Sequence, residues 1–153
     1  YYATELIRLH ASGEAEQVLR DYLNNHWVES SVVLYSELDV MASDQQISAA
    51  EEWLRNHRHN EYLLFALGKM YLSRNDWSKA RTYLEASLSV TPLPATYLKL
   101  AQLLEDHLED RKQAQEYYRQ GLHMLSGDYG VEALANAEND FHRAIVVPEL
   151  RVI

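Results

Sequence analysis

Apolar residues recur every three or four positions along most of the chain, the spacing that lines one face of an α-helix. Between Glu61 and Ser73 they form two such stripes, Tyr62-Phe65-Ala66 and Leu63-Leu64-Leu67-Met70-Tyr71. A helix with two apolar faces is packed between neighbours. The same reading along the sequence predicts helices at 2–11, 14–25, 29–41, 45–57, 61–73, 77–90, 95–107 and 110–125.

The residues at the predicted ends agree. Ser43-Asp44-Gln45-Gln46 has the form of a capping box, Asn60 stands where it can cap the helix from Glu61, and Asn75-Asp76 opens the next. Gly13 and Gly127 stand at expected helix ends. Pro92 and Pro94 stop one helix and start another, Pro94 in a first-turn position. After Ser126 the pattern changes. Gly127-Asp128-Tyr129-Gly130 reads as a loop and 131–139 as a short helix. Residues 144–153 read as an extended apolar end, in which Pro148 opposes a central strand.

The helical words repeat. Ala80 and Ala114 stand 34 residues apart, as do Leu84 and Tyr118. Ala15-Leu19 and Ala49-Trp53 read as earlier copies at the same period. In the first helices of the pairs, Leu64-Leu67-Gly68-Tyr71 returns as Tyr97-Leu100-Ala101-Leu104. This period and pattern resemble the tetratricopeptide repeat (TPR), and Glu61–Pro94 fits best. The resemblance implies an all-α fold, a right-handed superhelical solenoid of TPR-type antiparallel helix pairs. The expected pairs are 2–25, 29–57, 61–90 and 95–125, with 126–153 as a tail. Gly68 and Ala80 are expected where two helices approach closely, since a mid-helix glycine costs about 1 kcal/mol against alanine and needs a packing reason.

Composition then removes whole classes of function. With no cysteine among 153 residues, disulfides, thiolate metal sites and cysteine nucleophiles are excluded. A net charge of −9 opposes nucleic-acid binding, which depends on Lys and Arg meeting phosphates. No apolar run approaches the ~20 residues of a membrane helix.

A narrower likeness lies in Leu34-Tyr35, Trp53-Leu54, Leu67-Gly68, Trp77 with Ala80, Tyr83-Leu84 and Gly121-Leu122. Through these words, from about Leu6 to Leu125, the chain resembles the C-terminal region of the HemY family, haem-biosynthesis-associated TPR proteins of the proteobacterial inner membrane. The resemblance implies a membrane anchor lying before this chain, a domain facing the cytoplasm, and a link to porphyrin metabolism.

Residues that invite chemistry have plainer readings. His10, His26, His57, His59, His107, His123 and His142 include no pair at metal-binding helical spacing, so no metal and no cofactor are expected. Glu105, Asp106, Glu109 and Asp110 read as a solvated loop. Trp53 and Trp77 read as core. No Gly-x-Ser-x-Gly is present, and the chain is expected not to be an enzyme.

In TPR proteins the first helix of each pair lines a concave groove. Carried onto this sequence, the groove residues are Val33 and Glu37, then Tyr62, Phe65 and Lys69, then Leu98, Lys99 and Gln102. Phe65 and Val33 stand where a carboxylate clamp would be polar, so an apolar helix or extended segment is the expected ligand. The expected function is a protein–protein scaffold, with haem-biosynthesis enzymes among the candidate partners. The rival readings are a homo-oligomerising structural domain and a haem or porphyrin carrier. The apolar end is expected either to lie in the groove or to cap the last helix over Tyr118 and Leu122.

Overall fold

The computed structural model describes residues 12–39 and 41–126. The helix expected at 2–11 and the expectations for 127–153 lie outside the described residues. Among the described residues every regular element is an α-helix, and the chain divides into two compact units, Tyr1–Pro92 and Leu93–Ile153. The expected all-α class of TPR-type helix pairs is the class found.

The first unit contains α1 (Ser12–Asn25), α2 (Glu29–Ser36), α3 (Asp44–Leu54), α4 (Glu61–Ser73) and α5 (Trp77–Val90). Short connections fold successive helices back on each other. α4 and α5 form the closest pair, and α4 also packs against α2 and α3. The starts of these helices are chemically fixed. Ser43 Oγ accepts from Gln46 N at 3.1 Å while Gln46 Oε1 accepts from Ser43 N at 2.8 Å, completing the capping box. Asn60 Oδ1 accepts from Leu63 N at 2.9 Å, and Asp76 Oδ1 accepts from Lys79 N at 3.2 Å. Such caps contribute about 1 kcal/mol each. Gly13, expected past a helix end, lies instead in the first turn of α1, where an added Cβ would meet nothing within 4 Å.

Gly68 has the packing reason its position demands. A Cβ there would stand 2.7 Å from both Cγ and Cδ2 of Leu84 and 3.5 Å from the Ala80 carbonyl oxygen. One turn further along α5, Ser87 Oγ donates to the Glu61 carbonyl at 2.9 Å.

The α2–α3 pair departs from the sequence reading in three ways. First, α2 ends at Ser36 rather than 41. Leu38 folds inward to 5% exposure, and Ala42 N donates to Ser73 Oγ at 3.0 Å, so the connection is held against α4 instead of continuing the helix. Second, α3 ends at Leu54 rather than 57. Its last carbonyls are met by a turn, Asn56 N and His57 N donating to Trp53 O, and His57 stacks on Trp27 with centroids 3.8 Å apart. Third, the buried residues on α3 are Gln46, Ile47, Ala50 and Trp53, so Ala50 rather than Ala49 accompanies Trp53. Of these, Gln46, Ala50 and Trp53 stand 34 residues before Ala80, Leu84 and Ser87, the buried set on α5. The period is intact, but a glutamine occupies the place of the small alanine.

The second unit contains α6 (Pro94–Asp106) and a helix, α7, over 111–126. Ala101, Leu104 and Ala114 form a core against which Leu108, Tyr117 and Tyr118 pack. An added Cβ at Gly121 would lie 3.1 Å from Tyr97 Cβ and 3.8 Å from the Pro94 carbonyl oxygen, so α6 and α7 also meet over a glycine. The turns repeat with the same period. Asn75 and Glu109 both have left-handed backbones, φ 59° and 53°. The residues after them, Asp76 and Asp110, cap the next helices through Lys79 N and Gln113 N.

Candidate functional site

The expected groove residues fall on α2, α4 and α6, except Glu37, which caps the C-terminal end of α2. On α2, Val33 is half-buried and shares a shallow concavity of about 480 Å³ with Ser30, Ser31, Leu34 and Glu37. Glu37 reaches across to α4 and pairs with Lys69. Lys69 also places Nζ 5.6 Å from the centre of the Phe65 ring, within cation–π range. Tyr62 is half-buried. The structure therefore links Val33 on α2, Glu37 at its C-terminal end, and Phe65 and Lys69 on α4.

Phe65 does not offer an open apolar face: it is 6% exposed. α4 has neighbours on several sides, which leaves its aromatic positions few directions open to solvent. What this surface presents is the α2 concavity and the charged Glu37–Lys69 bridge. In the second unit Leu98 is 37% exposed, Lys99 half-buried and Gln102 exposed, all on α6.

A polar network inside the first unit was not foreseen from the sequence. Tyr35 OH donates to Glu16 Oε1 at 2.6 Å in a buried bond, and Arg20 Nε lies 3.1 Å from the same oxygen. Gln46 Nε2 donates to the Tyr35 backbone carbonyl at 3.1 Å. The Tyr35 ring meets Trp53 edge-on at 5.0 Å, and Trp53 Nε1 donates to Asn24 Oδ1 at 2.7 Å. Helices α1, α2 and α3 are thus joined through polar groups. Burial, then the bond to Glu16, pushes the Tyr35 hydroxyl well above the ordinary tyrosine range. Burial and the bond to Glu51 do the same for Tyr71. Hydroxyls held this way stay protonated and donate, so they brace helices rather than act as bases. One sequence signal for the network existed: Glu16 and Arg20 sit four apart on the face that also carries Leu19 and Leu23.

The other candidates have structural placements. Trp53 is buried and Trp77 half-buried. His26 stacks on Tyr22 at 5.2 Å, and His59, His107 and His123 are exposed. His10 and His142 lie outside the described residues. Glu105, Asp106, Glu109 and Asp110 are all exposed, with Asp110 acting as a helix cap. Among the described residues, no group of three His, Asp or Glu side chains is placed to hold a metal ion, and no helix is long and apolar enough to cross a membrane.

Paired helices, small residues at their crossings and a 34-residue period define a helical-repeat protein. Residues 63–95 match the family model of the tetratricopeptide repeat. No curated protein matches the chain. The matched segment begins in α4, runs through α5 and covers the Gly68–Leu84 crossing. Repeats of this family generally mediate protein–protein interaction and typically serve as non-catalytic scaffolds.

Proposed function

We propose that this chain is the protein-binding domain of a membrane-anchored TPR protein associated with haem biosynthesis, without catalytic activity of its own. The observation that carries the binding role is the concavity around Val33 and Leu34, whose lining includes Glu37, itself paired with Lys69 of α4. An apolar patch edged by opposite charges suits a short helical or extended segment of a partner. The haem link and the cytoplasmic-facing inner-membrane location rest on the resemblance to the HemY family. Three residues of those shared words, Tyr35, Trp53 and Gly68, are buried packing positions. They support kinship of fold more directly than identity of partner.

In-cell photo-cross-linking tests both levels. A photoreactive residue at Ser31, beside the concavity, is compared with one at Ser78, exposed on α5. The expected result is a discrete adduct at Ser31, absent at Ser78, containing an enzyme of haem biosynthesis. Adducts at Ser31 with other proteins only would remove the haem link and keep the binding role. Adducts at Ser78 and none at Ser31 would remove the surface itself.

A further inference from the structure

The turn between α3 and α4 carries a charge opposite to that of the chain. Arg55, His57, Arg58 and His59 fall within five residues with no acid among them, in a protein of net charge −9. The turn is fastened at its base. His57 stacks on Trp27 at 3.8 Å, Asn60 N donates to the His57 carbonyl at 3.1 Å, and Asn60 Nδ2 donates to Glu29 Oε1 at 3.2 Å. Arg58 and His59 remain exposed. Arg55 pairs with Glu52, whereas Arg58 and His59 make no ion pair among the described residues. Beside them lies an open concavity of about 650 Å³ that the proposed function does not use. Leu64 of α4 and Ala86 and Val90 of α5 give it an apolar lining, Ser89 is exposed at its edge, and no carboxylate lines it.

We propose that this turn and the end of α5 dock an acidic segment of a partner protein, one in which carboxylates alternate with aliphatic side chains. The Arg58 guanidinium can hold a carboxylate through two parallel N–H donors, and the His59 ring supplies a further donor. Aliphatic side chains next to that carboxylate would cover Leu64, Ala86 and Val90, a contact that removes apolar surface from water. A turn already fixed by stacking and capping loses little freedom on binding. Charge also directs the ligand, because the acidic remainder of the chain repels such a segment while the turn offers it cations. This polarity is the reverse of the α2 concavity, whose lining includes Glu37. An anionic membrane is a poorer match. Such surfaces are recognised by clusters of about four to eight Lys and Arg, and the turn has Arg55, already paired, and Arg58.

The probe is a fluorescein-labelled peptide, Asp-Leu-Asp-Ile between glycines, titrated with the full chain by fluorescence anisotropy. Saturable binding is expected. Arg58→Gln should weaken it about tenfold, the loss expected for a hydrogen bond between charged groups, and His59→Gln should weaken it less. Both residues are exposed, so neither change should move the thermal midpoint. Glu37→Gln, at the α2 concavity, should leave the affinity as it is, so the two surfaces are tested separately. Replacing each Asp of the peptide by Asn, or its Leu and Ile by Ser, should weaken binding in both cases. Equal affinity of wild type and Arg58→Gln would overturn the proposal. So would the absence of peptide binding, or an Asn peptide that binds as tightly as the Asp one. A loss at Glu37→Gln instead of Arg58→Gln would place the peptide in the α2 concavity, and also overturns it. Co-sedimentation with vesicles of phosphatidylserine and phosphatidylcholine, abolished by Arg58→Gln and without peptide binding, would assign the turn to a membrane and overturns it too.

Discussion

The two helix pairs of the first unit solve one problem in opposite ways. Between α4 and α5 the helices approach because Gly68 has no side chain where Leu84 lies. Between α2 and α3 the matching small positions are filled by Ser36 and Gln46. There the contact is made by hydrogen bonds, Gln46 Nε2 reaching the Tyr35 carbonyl, with Tyr35 in turn bonded to Glu16 on α1. Shape complementarity is unforgiving of added volume. A polar network is unforgiving of a missing partner, since an orphaned buried group keeps its desolvation cost. The pairs should therefore fail under different substitutions.

The largest effect is expected at the glycine crossing. Gly68→Leu must displace Leu84 and should cost about 1–3 kcal/mol, read as a lowered thermal midpoint. Gly13→Ala is the control. With nothing near its Cβ, it should hold or raise the midpoint. An unchanged midpoint for Gly68→Leu would show that the α4–α5 crossing is not close.

The polar pair should answer to a double-mutant cycle. Tyr35→Phe leaves Glu16 without its hydroxyl donor, and Glu16→Leu leaves the Tyr35 hydroxyl buried and unbonded. Each should cost about 1–3 kcal/mol, and the double variant should cost less than the two added together. Strict additivity would mean the two groups do not act through each other. Alkaline pH sharpens the test. The folded state raises the Tyr35 hydroxyl above its ordinary value of 10.0. Its contribution to stability is therefore complete below pH 10 and is lost as pH rises beyond that value. Tyr71 is raised in the same direction, so wild type should lose stability above pH 10 and Tyr35→Phe should lose it less steeply. Equal slopes in denaturant titrations at pH 9 and 11 would remove Tyr35 from the account.

The same contrast explains what could be read in advance. The α4–α5 pair was legible because its crossing uses small residues, and a glycine inside an apolar helical pattern costs stability unless a neighbour needs its space. The α2–α3 pair was only partly legible, since Gln46 in a small-residue position hides the 34-residue register and Ala49 offers a false one. Leu38 continued the apolar rhythm past the true end of α2, because periodicity does not distinguish a buried loop residue from a buried helical one. At the binding surface, the sequence placed Val33, Glu37, Phe65 and Lys69 on the first helices of their pairs. It held no sign that Phe65 is covered. That depends on how closely the neighbours of α4 approach, a property of tertiary packing rather than of spacing along one helix.

The smallest effect is expected where the two pairs touch, at the Glu37–Lys69 bridge. Glu37 is half exposed, at 50%, and Lys69 is 18% exposed. Ion pairs with one partner in solvent contribute about 0–1 kcal/mol, so Glu37→Gln should barely move the midpoint. Lys69 does a second thing, because its ammonium sits over the Phe65 ring and its stem can cover apolar surface while the charge stays in water. Lys69→Met keeps that cover and removes the charge, and Lys69→Ala removes both. Stability should thus fall in the order wild type, Lys69→Met, Lys69→Ala, with the larger step at the alanine. Partner binding should respond in a different order. If the bridge rims the α2 concavity for a ligand, Lys69→Met and Glu37→Gln should each weaken cross-linking at Ser31 although their midpoints stay near wild type. A loss of binding confined to Lys69→Ala would instead mean that covering Phe65 is all that Lys69 does.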